Sequence, residues 1–157
     1  MGQLRPITPG GTPMLVQHIL QQKGDIKVIT VKPGATVANA AELLSQHRIG
    51  ALIVSTDGKH VSGILSERDI VRELGRRGPA SLSDTVETLM TAKIISCARQ
   101  DRTNDVLQKM TDGRFRHMPV MDGAEMVGLI SIGDVVKARL AELTTDLDAL
   151  EGMIKGF

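Results

Sequence analysis

The chain has 157 residues, a net charge of +1 and a single cysteine. This length allows one compact domain or two small ones that share a core, and the near-zero charge gives no general attraction to nucleic acid or membranes. One cysteine excludes an internal disulfide and fits a reducing compartment, so we expect a cytoplasmic protein. With no Trp, no Tyr and only two Phe, the core must be aliphatic, and a flat ligand should sit between aliphatic side chains.

Residues 1–15 come first and are rich in Pro and Gly, without the apolar core of a signal peptide. We expect a flexible arm here. The apolar runs further along the chain are far shorter than a bilayer-spanning helix requires.

Residues 16–78 are predicted to form a first β-α-β-β-α repeat. An apolar strand over 28–31 precedes a helix with apolar side chains at helical spacing, at Val37, Ala40, Ala41 and Leu44. The strand ALIVS, an Asp-Gly hairpin turn and the strand VSGILS follow. A second helix begins at a Ser-x-x-Asp phrase and ends near GRRGP.

Residues 79–140 repeat this order. The stretch 94–120 aligns without a gap on 28–54, and GLISIGDVV matches GILSERDIV. We therefore expect a helix capped near Asp84, a first strand over 94–97 and the same elements after it. One repeat has too few elements to bury its own sheet, so the two should pack sheet to sheet about a pseudo-two-fold axis.

Residues 141–157 are predicted to extend the last helix. An apolar stripe continues at helical spacing through Leu140, Leu143, Leu147, Leu150 and Ile154, although TTD at 144–146 offers an alternative start for a new helix. The stripe exceeds what the core of a small module requires. We expect it to contact a partner subunit.

These features together resemble the cystathionine β-synthase (CBS) domain. The resemblance rests on the duplicated order, on RIGALIV and RFRHMPV before an Asp-Gly hairpin, and on GILSERD and GLISIGD after it. Two such domains in tandem form a Bateman module, and the resemblance covers about residues 16–140. It implies an α+β fold, often a flat homodimer, and regulatory binding of AMP, ADP, ATP or sometimes NAD or S-adenosylmethionine in clefts between the halves. AMP is the first choice.

The Ser66–Asp69 pair has two interpretations. It can be a capping box, in which Ser66 caps a helix and Asp69 folds back on the cap's backbone. Alternatively, Asp69 accepts hydrogen bonds from ribose hydroxyls while Ser66 and the free N–H groups of the helix face a phosphate. The resemblance favours the ribose role, and Ser131 with Asp134 carries the same pair in the second repeat.

Arg68 and Gly133 occupy one aligned position beside these pairs. Arg68 is either a phosphate-binding cation or a solvated surface residue, and Gly133 would let a ligand approach closely. The resemblance implies that Arg116 and His117 reach across the cleft toward phosphate. Alternatively, both only contribute surface charge, or His117 is a structural histidine. We expect two unequal sites, one at each Ser-x-x-Asp helix start, which we call the Asp69 corner and the Asp134 corner. The Asp69 corner is expected to be the better phosphate site.

The resemblance also implies that residues of the first strands and of the segments before the hairpins form a wall that contacts the adenine ring. Alternatively, these residues only belong to the core. The wall residues are Ile29, Thr30, Val31, Ile49, Gly50, Ala51, Ile95, Ser96, Cys97, Met118 and Pro119. Cys97 has no evident histidine base, so it is predicted to be a small core residue. The four histidines lack metal-ligand spacing, so no metal site is expected.

The motifs in this sequence favour a ligand sensor over an enzyme. No P-loop or catalytic triad is recognisable, and a sensor needs neither. We expect the nucleotide to shift the population of conformations that controls a separate, unknown effector protein. A structural dimerisation module with empty clefts remains an alternative, and a nucleotide-processing enzyme is less favoured.

Overall fold

The first repeat has the expected element order. The computed structural model describes residues 13–24 and 27–155. Helix α1 (Val16–Lys23) is followed by β1 (Thr30–Val31), α2 (Val37–His47), β2 (Ala51–Val54), β3 (Gly63–Ser66) and α3 (Glu67–Arg77). The strands form one sheet in the order β1-β2-β3, with β1 parallel and β3 antiparallel to β2.

The second repeat follows a 3₁₀ helix over Gly78–Ser83. Its elements are α4 (Val86–Leu89), α5 (Thr103–Gly113), β4 (His117–Asp122), β5 (Glu125–Ser131) and α6 (Ile132–Lys155), with β4 and β5 paired in an antiparallel hairpin. The predicted cap at Asp84 is wrong, because Thr85 holds the N-cap position of α4. The carbonyl of Asp84 accepts from Val37 N–H at 2.8 Å, and its carboxylate pairs with Arg77.

The predicted first strand over 94–97 is also wrong, because only Cys97 pairs, through a parallel bridge to Val120. In the first repeat the ladder continues one step further, where Ile53 N–H donates to Ile29 O at 3.4 Å. The residue aligned with Ile53 is Pro119, which has no N–H to donate. The ladder of the second repeat therefore stops at Cys97.

The helices that precede the repeats are exchanged between them. Val16 and Ile19 of α1 are buried in the core of the second repeat, whereas Val86 of α4 is buried in the core of the first. Val16 N–H donates to Asp101 O at 2.9 Å, and Val86 N–H donates to Ala35 O at 2.8 Å. The predicted domain boundary at residue 16 places α1 in the first repeat, although α1 completes the core of the second.

Each repeat has its own aliphatic core, as the composition requires. The predicted helix faces are confirmed at Val37, Ala40 and Leu44 of α2, which are buried, and α5 buries Val106 and Met110 in the same way. Burial of this apolar surface is the main favourable term in folding.

The two repeats also share their backbone geometry where the second helix begins. Glu67 N–H donates to Gly50 O at 2.9 Å, and Ile132 N–H donates to Arg116 O at 2.8 Å. These bonds join aligned positions, so each Ser-x-x-Asp helix starts beside the segment that precedes β2 or β4.

Helix α6 continues without a break from Ile132 to Lys155, so the alternative of a new helix start at 144–146 is wrong. The hydroxyls of Thr144 and Thr145 donate to carbonyls four residues earlier, at 2.9 and 3.0 Å. They are thus satisfied inside the helix instead of capping a new one. Val135 and Ala138 bury the inner face of α6 in the second core.

Most of the predicted arm lies outside the described residues, which begin at 13. Within them, Leu15 forms an antiparallel bridge with Arg102 and occupies the N-cap position of α1. None of the helices in residues 13–24 and 27–155 is both long and apolar enough to cross a bilayer.

Gly63 marks a close approach between β3 and the segment that leads to the second repeat. A Cβ at this position would lie 2.4 Å from Met90 Sδ and 3.0 Å from the carbonyl oxygen of Thr91. Backbone hydrogen bonds of 2.9 and 3.0 Å between Thr91 and Ile64 hold that carbonyl in place. We expect Gly63→Ala to lower the free energy of unfolding by about 1–3 kcal/mol, measured by urea denaturation.

A matched substitution tests this explanation. A Cβ on Gly75, inside α3, would meet no atom within 4 Å. Gly75→Ala should therefore raise stability by up to about 1 kcal/mol through helix propensity. Equal stability of Gly63→Ala and the wild type would contradict the close approach.

Candidate functional site

Two cavities share a contact between the repeats, formed by Gly50 and His117. A Cβ on Gly50 would lie 3.2 Å from His117 Cε1, so glycine leaves room for the imidazole ring. We call the larger of the two cavities, of about 680 Å³, the Asp69 cavity, and the smaller cavity, of about 530 Å³, the Asp134 cavity. Both volumes lie in the range of sites for small ligands and cofactors.

The N-terminal turn of α3 lines the Asp69 cavity, and the capping box predicted there is confirmed. Ser66 Oγ accepts from Asp69 N–H at 3.2 Å, and Asp69 Oδ2 accepts from Ser66 N–H at 2.9 Å. Asp69 Oδ1 accepts from Arg72 Nη2 at 2.6 Å. The side chain of Arg72 is 67% exposed, against 13% for Asp69. Because an exposed ion pair contributes little, a ligand could displace Arg72 from this carboxylate at small cost.

The N-terminal turn of α6 lines the Asp134 cavity, but its carboxylate has a different partner. Asp134 Oδ2 accepts from Ser131 N–H at 2.9 Å and from Lys23 Nζ at 2.7 Å. Burial raises the pKa of Asp134, but the hydrogen bonds from Lys23 and Ser131 outweigh it and hold the pKa below its usual range. Asp134 is therefore ionised and paired at neutral pH.

Cations outnumber carboxylates around the Asp69 cavity. Its carboxylates are Glu67 and Asp69, and its cations are Arg68, Arg72, Lys93, Arg114 and Arg116. Such a concentration of positive charge attracts an anionic ligand.

His117 adds a hydrogen-bonding group to this cavity and no charge. Burial lowers the pKa of His117, and Lys23 and Arg116 lower it further against the opposing effect of Glu67 and Asp134. The imidazole is therefore neutral at neutral pH. It can donate or accept a hydrogen bond, depending on its tautomer.

The apolar wall of the Asp69 cavity is not purely aliphatic. Ile64, Ile94 and Ile95 line it together with Phe115. A Cβ on Gly113 would lie 2.4 Å from the ring of Phe115, so a glycine makes room for this ring too. The expectation that a flat ligand would meet only aliphatic side chains is wrong here, because an aromatic face is present.

The duplicated pattern has a counterpart among known protein families. The CBS domain matches residues 24–76 and 86–141. The chain belongs to the CBS domain family. Each CBS repeat contributes one of the two Ser-x-x-Asp corners, and the contact between Gly50 and His117 joins one CBS repeat to the other.

Related proteins support the same fold. The mitochondrial CBS domain-containing protein CBSX3 of Arabidopsis thaliana is 38% identical over an alignment of 125 residues, which covers 77% of this chain and 61% of that protein's length. A CBS-domain containing protein of Agrobacterium tumefaciens has a crystal structure that covers 80% of this chain, with 99% of its own chain covered, at a TM-score of 0.76 and 41% identity. A CBS domain protein of Pyrobaculum aerophilum complexed with AMP covers 84% of this chain, with 99% of its own covered, at a TM-score of 0.72 and 25% identity. The predicted α+β fold of a CBS pair is confirmed.

The structure brings many of the predicted site residues to the two cavities. Those that line the Asp69 cavity are Gly50, Ser66, Arg68, Asp69, Ile95, Arg116 and His117. Those that line the Asp134 cavity are Ile29, Ile49, Gly50, Ala51, His117, Ser131 and Asp134. Those that line neither are Thr30, Val31, Ser96, Cys97, Met118, Pro119 and Gly133. For every one of them, contact with a ligand stays a prediction.

Cys97 shows why some of these residues lie away from the cavities. It is buried in the second core, and its thiol donates to Pro119 O at 3.8 Å. Burial, helped by Asp101 and opposed by Lys109, raises the pKa of the thiol to about 12. It therefore stays protonated and packs as a small apolar residue. In the part of the chain that the structure describes, no three His, Cys, Asp or Glu side chains are grouped so as to hold a metal ion.

Several cavity residues carry only weak sequence signals. Arg72 follows Asp69 by three positions, so it can reach the carboxylate along the helix. Lys23 and Lys93 align with each other in VQHILQQK and VETLMTAK, but the alignment does not reveal that each faces a Ser-x-x-Asp corner. Arg114 and Phe115 reach the Asp69 cavity because α5 ends at Gly113.

Proposed function

We propose that this chain is a regulatory module that senses an adenine nucleotide in the Asp69 cavity. The observation that carries the proposal is the convergence of a helix N-terminus, a shielded carboxylate, five cations and an apolar wall on one cavity. The AMP complex of the Pyrobaculum aerophilum protein supports it. The relatives are named as CBS domain-containing proteins, without the name of an enzyme.

Each part of a nucleotide has a matching group in this cavity. The Asp69 carboxylate would accept from the ribose hydroxyls in place of Arg72. Arg68 and the free N–H groups of α3 would bind phosphate, together with Arg116 from the second repeat. Phe115 and Ile95 would contact the adenine ring. AMP is the first choice, with ADP, ATP and NAD as alternatives.

Regulation would follow from the position of the cavity between the repeats. Ser66 and Asp69 belong to the first repeat, whereas Arg116 and His117 belong to the second. A nucleotide that contacts both is bound more tightly in one arrangement of the repeats or subunits, and so shifts the population toward it. The effector that responds would be a separate protein. The single thiol is consistent with a cytoplasmic setting.

Thermal unfolding with nucleotides tests this proposal. Ligand at 100 times its Kd should stabilise the protein by about 2.7 kcal/mol, which raises Tm by roughly 5–11 °C. The protein is heated alone and with AMP, ADP, ATP or NAD. No change in Tm with any of them at millimolar concentration would contradict the proposal and favour a dimerisation module. Conversion of the nucleotide, detected by chromatography, would favour an enzyme.

We also propose that two copies of the chain pair through α6. Val136, Leu140, Leu143, Leu147 and Leu150 are exposed, although all are large and apolar. They follow one another at alternating spacings of four and three residues, which is the spacing of a coiled-coil seam. A second copy presents the same stripe, so a symmetric dimer would bury both.

We expect Leu147→Glu to convert a dimer into a monomer. Leu147 is 62% exposed and lies within the stripe, between Leu143 and Leu150, so in the dimer its replacement would bury an unpaired charge. Light scattering measures the molecular mass. Thr145→Glu adds the same charge on the opposite side of α6 and should leave the dimer intact. A monomeric wild type, or a dimeric Leu147→Glu variant, would contradict the pairing.

A further inference from the structure

The two Ser-x-x-Asp corners have the same cap but different cations. In the first, Asp69 pairs with Arg72, which comes from the same helix and is mostly exposed. In the second, Asp134 pairs with Lys23, which comes from α1 and is distant in sequence. The first pair can open without disturbing another element, whereas the second joins two helices.

Lys23 is held at the Asp134 corner by more than one bond. Its ammonium donates to Asp134 Oδ2 at 2.7 Å and to the carbonyl oxygen of Leu129, in β5, at 3.0 Å. The side chains of Lys23 and Asp134 are only 31% and 26% exposed. The ammonium therefore lies against the carboxylate of this corner, on the same oxygen that accepts from Ser131 N–H, and it is fixed there by the carboxylate and a strand.

The lysine that aligns with Lys23 behaves differently. It lies in the lead-in of the second repeat, by which we mean the segment that begins with α4, as α1 begins the lead-in of the first. Lys93 is exposed and lines the Asp69 cavity, where Asp69 pairs with Arg72 instead. The reason lies in the lead-in helices. Lys23 is the last residue of α1, which runs for eight residues, whereas α4 ends at Leu89 after four. Beyond α4, Thr91 pairs with Ile64 in an extended bridge, and Lys93 is not carried on a helix to the carboxylate.

We infer that the chain binds one nucleotide and not two, because the Lys23 ammonium is fixed against the carboxylate that a ribose would have to approach in the second corner. This inference rests on the proposed function and adds the residue that closes the Asp134 cavity to a ribose. Exchange of the lead-in helices makes this possible, since it brings α1 to the second repeat. Lys23 thus determines the stoichiometry of the module, while Lys93 remains available to a phosphate.

The number of AMP molecules bound per chain tests the inference, measured by isothermal titration calorimetry. We expect one for the wild type and two for Lys23→Met, which keeps the length of the side chain and cannot donate to Asp134. Lys27→Met is the matched control, because Lys27 lines the same cavity as an exposed cation. It should still bind one AMP. Two AMP per wild-type chain, or one per Lys23→Met chain, would overturn the inference and leave the proposed function standing.

A second pair of variants keeps the test decisive if Lys23→Met alone is hard to interpret. Asp69→Asn should bind AMP about 10- to 100-fold more weakly than the wild type, because its own corner is impaired and its remaining corner is closed. The double variant Asp69→Asn with Lys23→Met should recover one AMP, at the Asp134 corner. A double variant that binds AMP no more tightly than Asp69→Asn alone would overturn the inference. A wild type that binds no AMP, ADP, ATP or NAD would contradict the proposed function itself.

Discussion

Asp69→Asn should weaken AMP binding by about 10- to 100-fold while the fold stays intact. A ribose diol needs two acceptor oxygens, and asparagine replaces one of them with an NH₂ group. Hydrogen bonds to a charged group contribute about 1.5–3 kcal/mol, and every 1.4 kcal/mol or so changes Kd tenfold. The remaining amide oxygen can still accept from Ser66 N–H, as Asp69 Oδ2 does at 2.9 Å in the wild type. Calorimetry gives Kd, and thermal unfolding checks the fold.

Asp105→Asn is the matched control for this loss of charge. Asp105 also lies in the first turn of a helix, α5, but it lines neither cavity. Its substitution removes one negative charge from a comparable helical position, so AMP affinity should not change. If the Asp69→Asn variant bound AMP as tightly as the Asp105→Asn variant, the ribose assignment would be contradicted. The capping box would then be the only role of Asp69.

The order of the elements could be predicted because the sequence contains it twice. Two aligned copies of one pattern make each assignment support the other, as at Ala40 and Val106 on the buried faces of α2 and α5. The shortened ladder at Cys97 was foreseeable from Pro119, whose missing N–H removes one bond. The exchange of α1 and α4 was not, since nothing in a local pattern states which of two similar cores a short helix completes.

The site could be predicted only where its residues lie in the repeated motif. Ser66, Asp69 and their counterparts stand in that motif, so alignment alone indicates them. Lys93 and Phe115 reach the Asp69 cavity through tertiary placement, and their neighbouring sequence is ordinary. The difference between the corners was expected at Arg68, but the larger difference is the partner of each carboxylate, which depends on where a lead-in helix ends.

Arg116→Glu should weaken ATP binding by about 100-fold and AMP binding by less. Arg116 lines the Asp69 cavity from the second repeat, opposite the α3 turn that carries Arg68. The substitution removes a charge-assisted hydrogen bond, of about 1.5–3 kcal/mol, and adds repulsion. ATP carries more negative charge than AMP, so it loses more. The fold should tolerate the change, because Arg116 is exposed and only its carbonyl bonds to Ile132. Competition between the two nucleotides measures both affinities.

Arg99→Glu separates this local effect from a change in net charge. Arg99 is exposed, lies outside both cavities and, among the residues that the structure describes, forms an ion pair only with the exposed Asp122, at 3.5 Å. It should leave ATP affinity within about twofold of the wild type, since screening at physiological salt limits distant charges to a range of about 8 Å. Raising the salt concentration should weaken ATP binding to the wild type more than AMP binding. Equal losses in Arg99→Glu and Arg116→Glu would mean that the overall charge attracts ATP, and the cations of the Asp69 cavity would then have no specific role in binding phosphate.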